Sequence, residues 1–166
     1  MNFTESLNVA LTTVSHFNPK KFPGMGKGWK FIPEEHDFRC PNVSITYCNS
    51  VRLLALLKKG ETCIDGEERI ERLKKSDKIR LTADWFLFFW KDLSLIPEEW
   101  KKVGTIFFDG DVLLAPDKGR HILSICWFGS EKDKVPYKWA CFFRHLSENC
   151  FASTPSATFE SSILSS

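Results

Sequence analysis

Six consecutive apolar residues, Trp85-Phe86-Leu87-Phe88-Phe89-Trp90, constrain this chain more than any other feature. Behind Thr82, a capping residue, the stretch ADWFLFFWKD reads as a helix with no polar face. Such a helix belongs at the centre of a core or in an interface. A buried strand is the alternative, since period alone does not decide a run this short. Either way it needs a large apolar surface opposite it. The chain has fifteen Phe and six Trp against two Tyr, a balance that favours buried rings over displayed ones.

The C-terminal half offers that surface as a β-meander. Gly104 to Leu114 reads as a strand, and Pro116-Asp117-Lys118-Gly119 as a turn. His121 to Phe128 and Tyr137 to His145 follow as strands around a polar loop from Gly129 to Pro136. Gly110 marks a bulge in the first strand. Pairing the later two around residue 132 sets Trp127 opposite Trp139, Ile125 opposite Cys141, Leu123 opposite Phe143 and His121 opposite His145. Period-two alternation puts all eight on one face.

Upstream, residues 1 to 17 carry Leu7, Ala10, Leu11 and Val14 at helical spacing. Residues 18–49 are irregular, broken by Pro and Gly. Within them Asn42 to Cys48 alternates like a strand. Asn49 or Ser50 caps a helix running to Lys58. Asp65 opens a further helix, GEERIERLKKSD, in which Glu68–Arg72 and Glu71–Lys75 stand four apart. Residues 50–92 thus read as helical, 97–150 as antiparallel sheet and 151–166 as a frayed Ser-rich tail. The expected fold is α+β: one domain of 166 residues, with N-terminal helices packed on a C-terminal antiparallel β-meander of at least three strands.

A formal charge of +2 and a pI near 8.2 argue against a nucleic-acid partner. The N-terminus has Glu5 and no basic region, so it does not read as a signal peptide. No stretch reaches the ~20 apolar residues of a membrane span. The expectation is a cytoplasmic protein. In that compartment the six cysteines act as small buried hydrophobes, and no CxxC pair marks a zinc or redox site.

The segments FFDGDVLLAPDKGRHILSICW, Lys138-Trp139 and Pro155-Ser156-Ala157 resemble those of a group of short uncharacterised bacterial proteins. GEERIERLKKSDKIRL, the Phe/Trp helix and IPEEW are similar in order. The likeness covers roughly residues 50 to 160. It implies a self-standing bacterial domain and carries no activity with it. The first nine or so residues look like an extension to that pattern.

Four constellations bear on chemistry. Phe107-Phe108-Asp109-Gly110-Asp111 resembles the first motif of haloacid-dehalogenase-type phosphatases, in which two carboxylates at a strand end share magnesium and divide nucleophile and acid/base roles. The downstream residues read as antiparallel strands, however, and lack that family's later lysine and acid motifs. The bland reading is a bulged strand with two solvent-facing acids. His121 and His145, facing one another beside Cys141, have ligand or acid–base chemistry, or else form the wet rim of an aromatic core face. His36, Cys40 and Cys48, with Cys63, are zinc-ligand types at irregular spacing. Finally, Lys20, Lys21, Phe22, Lys27, Trp29, Lys30 and Phe31 interleave charge and rings in a way that suits phosphate and bases, or simply a loop covering the core.

Two functional classes follow. The first is a small non-enzymatic binding protein with no cofactor, using Trp127, Tyr137 and Trp139 against a protein partner or a second copy of the chain. The second is a metal-dependent hydrolase built on Asp109 and Asp111 with His121 and His145.

Overall fold

The computed structural model describes residues 15–148 and 154–165. The helix expected before Val14 lies outside the described residues, as does Cys150. Seven strands form one mixed sheet. In chain order they are β1 (Lys30–Phe31), β2 (Arg52–Leu54), β3 (Ile79–Arg80), β4 (Thr105–Leu114), β5 (Arg120–Ser130), β6 (Val135–His145) and β7 (Ser156–Phe159). Three α-helices are described: α1 (Ile45–Cys48), α2 (Gly66–Lys75) and α3 (Ala83–Lys91).

This corrects the expected architecture. The domain is not a set of N-terminal helices laid on a small meander. It is sheet-rich, its strands run in the order β2-β7-β4-β5-β6, and β1 and β3 add to β4 and β7. The predicted helix from residue 50 to Lys58 is replaced by β2 and the loop after it. The predicted strand from Asn42 to Cys48 is instead the single turn α1. There the Ser44 hydroxyl accepts from the Thr46 N–H at 3.3 Å, and this local cap prevails over the β-branched pattern.

The largest correction concerns the tail. Ser156 to Phe159 form a central strand with every residue buried. One edge of β7 pairs antiparallel with β2. Its other edge meets β3 antiparallel and β4 in parallel at Phe107–Ser156. Four residues with no apolar alternation carry no strand signal of their own, so the neighbours create this strand.

The C-terminal hairpin follows its sequence pattern. Trp127 pairs with Trp139, Ile125 with Cys141, Leu123 with Phe143 and His121 with His145. In β4 the register slips between Phe108 and Leu113, around Gly110. The bulge brings Gly110 against β3, where its N–H donates to the Leu81 carbonyl at 2.8 Å. A Cβ at Gly110 would lie 2.5 Å from the Leu81 carbonyl carbon, so only glycine allows that approach.

Each face of the sheet has its own helix. Asp65 caps α2 through the Glu68 N–H, as its sequence predicts, and Ile70 packs with Phe107, Val112, Ile122 and Leu146 on one side. On the other side α3 buries Trp85, Phe86 and Phe89 completely against Ile106, Phe108, Leu123 and Ile125. The remaining flank of α3 is covered within the same chain. Phe17 and Phe22 meet Phe86 edge-on at 5.9 and 5.6 Å, and Trp100 meets Phe89 at 5.3 Å. Half of the apolar run, Trp85, Phe86 and Phe89, is therefore core, while Leu87, Phe88 and Trp90 are partly buried against the same cluster. No described helix is long and apolar enough to cross a membrane.

Candidate binding surface

Asp109 and Asp111 flank the bulge, and neither faces solvent as the bland reading held. Asp109 is fully buried with Arg69, which reaches it at 3.3 Å, while the Ser156 hydroxyl donates to the same carboxylate. Asp111 turns to different partners. One of its oxygens accepts from the Ala83 N–H at 2.7 Å and the other lies 2.6 Å from His36 Nδ1. Thr82 makes no side-chain cap, so Asp111 satisfies this first-turn donor of α3 from a distant strand. The two carboxylates are structural anchors for separate elements.

His121 and His145 face one another, with ring centroids 4.8 Å apart. Their bonds lead away from the acids: His121 Nδ1 lies 3.2 Å from the Gly119 carbonyl, and His145 Nδ1 accepts from the Ser147 N–H. Burial, the largest influence, holds His121 below its ordinary pKa. Asp109, Asp111, His121 and His145 are not gathered in one place. Among the described residues, no three His, Cys, Asp or Glu side chains stand where they could share a metal ion.

The zinc-type residues do not converge either, although His36 and Cys40 line one cavity. His36 belongs to Asp111, the Cys40 thiol points at the Pro41 carbonyl and that of Cys48 at the Leu95 carbonyl, while Cys63 is exposed. Burial pushes the Cys40 thiol up to about 12 and raises Cys48 as well. A thiol in that state is a poor nucleophile. Iodoacetamide at neutral pH is therefore expected to alkylate Cys63 first and to leave Cys40 and Cys48 unmodified until urea unfolds the chain. Peptide mass mapping checks this, and Cys40 labelling as fast as Cys63 would contradict it.

One cleft gathers titratable side chains in a combination that no sequence motif marks, although the sequence singles out His36 and Asp111 in other sets. His16 Nδ1 lies 2.7 Å from Asp84, and the His36–Asp111 pair lies across a cavity of about 310 Å³ walled by Phe17, Phe31 and Phe38. Sixty-eight residues separate the first pair and seventy-five the second, so no spacing announces either. Asp37, next to this cleft, is nearly buried. Burial works to raise its pKa, but hydrogen bonds from the Arg39 side chain and from the Arg80 and Arg39 N–H groups leave it below the ordinary value.

Phe38 is the most exposed ring, at 82%, but it stands apart from the several half-exposed rings that the β5–β6 hairpin carries along its length. Tyr137 is 51%, Phe128 49% and Phe142 44% exposed. Tyr137 stacks on Trp127 with 19° between the ring planes, and Trp127 meets Trp139 edge-on at 5.2 Å. Lys101 Nζ sits 4.5 Å above the Trp127 ring. On the opposite face Phe128 and Phe142 border a cavity of about 230 Å³ with Cys126, Arg144 and Phe107.

Comparison with family models, with curated proteins and with solved structures finds no match to this chain. The reading of the surface rests on its own chemistry. β6 ends the strand order, so among the described residues no strand pairs with its outer edge. Trp127, Trp139 and Tyr137 stood out in the sequence. Phe128 and Phe142 did not, because alternation assigned them to the other face without showing that α2 stops short of them.

Proposed function

We propose that this protein is a non-enzymatic binding protein that takes an extended segment of a protein partner along β6. The observation that carries the reading is the open edge of an eleven-residue strand flanked on both faces by half-exposed rings. An added strand supplies its own backbone hydrogen bonds, and alternate side chains read the pockets on either face. Here Tyr137 and Trp127 form one such wall and Phe142 and Phe128 the other. Aromatic residues with a neighbouring cation are the usual anchors of such contacts.

Photo-crosslinking in the cell of origin tests the reading. A benzoylphenylalanine at position 137 or 142 is expected to yield one dominant adduct, whereas the same group at exposed position 59 yields none. The pair Tyr137→Ser and Phe142→Ser, each made with the probe at the other position, should abolish the adduct. Both side chains are half exposed, so each change should cost no more than about 1 kcal/mol of stability. An adduct of twice the chain mass would make the partner a second copy. Equal labelling at 59 and 137 would end the proposal.

A further inference from the structure

The segment from Asn18 to Lys30 turns its apolar residues inward and its charges outward. Phe22, Met25 and Trp29 pack on the core, while Lys20, Lys27 and Lys30 wall a cavity of about 380 Å³ with Gly28 and Trp29. No Asp or Glu occurs between Asn18 and Pro33. Among the described residues, neither these three lysines nor Lys21 joins an ion pair. Lysines elsewhere do, as in Lys74–Glu35, Lys78–Glu160 and Lys101–Glu98. Uncompensated positive charge around a concavity raises the local concentration of anions.

The wall is held in shape. Gly28 has φ of +98°, and a Cβ there would come within 3.0 Å of Pro116, so the loop sits hard against the β4–β5 turn. Trp29 is fixed by His121 at 5.0 Å and by Phe143, edge-on, at 5.8 Å. A bare inorganic anion has no use for an indole wall. A ligand that joins phosphate to a flat ring uses both features, because bases stack on aromatic side chains while ammonium groups neutralise phosphate.

We propose that this pocket binds a free nucleotide, its phosphates among Lys20, Lys27 and Lys30 and its base against Trp29. The volume lies near the lower end of ligand pockets, which run from about 300 Å³ upward, and suits one nucleotide. All the cations are lysine, which acts on phosphate as a point charge and lacks the forked geometry that reads base edges. The site should therefore accept more than one base. It shares no lining residue with the β6 surface, although Trp29 packs against Phe143 of that strand, and it does not rest on the reading of that surface.

Titration calorimetry of the full chain with adenosine triphosphate, uridine triphosphate and inorganic tripolyphosphate tests the assignment. Both nucleotides should bind, and tripolyphosphate roughly tenfold more weakly, since stacking of one base is worth about that factor or more. The double change Lys27→Glu and Lys30→Glu alters only exposed side chains and should abolish nucleotide binding while the melting curve stays in place. Trp29→Ala should weaken nucleotides roughly tenfold and leave tripolyphosphate unchanged, whereas Trp29→Phe should retain most of the affinity. Tripolyphosphate binding as tightly as nucleotide would reduce the site to a plain anion patch. An oligothymidylate binding far tighter than uridine triphosphate would replace the free nucleotide with a strand. Absence of binding, or indifference to the lysine changes, would overturn the proposal outright.

Discussion

Asp109→Ala should cost about 3–5 kcal/mol, because it removes the carboxylate that faces the buried Arg69 guanidinium. The side chains are 1% and 0% exposed, with Arg69 Nε 3.3 Å from one carboxylate oxygen and Nη2 3.4 Å from the other. Arg69 also donates to the Ser156 hydroxyl at 2.6 Å and to the Thr154 carbonyl at 2.9 Å, and its guanidinium lies 4.5 Å from the centre of the Phe107 ring. The Asp109 backbone carbonyl accepts from Arg80 at 2.8 Å. One residue thus ties α2, β3, β4 and β7 together. A domain of this kind is stable by about 5–15 kcal/mol in all, so the loss is a large share of it.

The comparison series separates charge from volume. Ser156→Ala removes one neutral donor and acceptor and should cost about 1–2 kcal/mol. The double change Asp109→Leu with Arg69→Met removes both charges and should recover much of what Asp109→Ala loses, as buried ion pairs replaced together often do. Urea unfolding at neutral pH measures all three. An Asp109→Ala loss within about 1 kcal/mol would show that water or another anion already compensates Arg69.

The same residue shows how far the sequence could be read. Phe-Phe-Asp-Gly-Asp invited a catalytic reading because two acids follow an apolar strand. Their roles depend instead on Arg69, Ser156, His36 and Ala83, which approach from 28 to 75 residues away. No spacing rule carries such partners. Local signals fared better: the Asp65 cap, the apolar run of the aromatic helix and the hairpin alternation each depend on neighbours a few residues apart, although the cap expected of Thr82 is not made and Asp111 takes its place. β2 and β7 failed for the opposite reason. Arg52–Leu54 and Ser156–Phe159 are too short to show a period, and their pairing is entirely long-range. Gly110 was legible as a bulge, yet what the bulge is for, a 2.8 Å bond to Leu81, was not.

Ending the chain after Thr154 is expected to abolish folding, although it removes only twelve residues. The removed segment contains β7, which stands between β2 on one edge and β3 and β4 on the other. The Phe107 and Leu81 N–H groups would lose their acceptors, the Pro155 and Ala157 carbonyls. Phe159 is wholly buried with its ring 5.1 Å from Trp85, and losing such a side chain alone costs about 3–5 kcal/mol. The Ser156 hydroxyl goes as well, and with it part of the Arg69 network. Ending the chain after Glu160 instead keeps β7 and the Lys78–Glu160 pair and gives up the half-buried Ile163, for about 1 kcal/mol. Proton–nitrogen correlation spectra distinguish the two. The longer chain should give the dispersed amide signals of a packed sheet, and the shorter one the collapsed spectrum of an unfolded chain. Dispersed signals from the chain ending at Thr154 would mean that the rest of the sheet closes without its centre, and the strand order described above would have to be wrong.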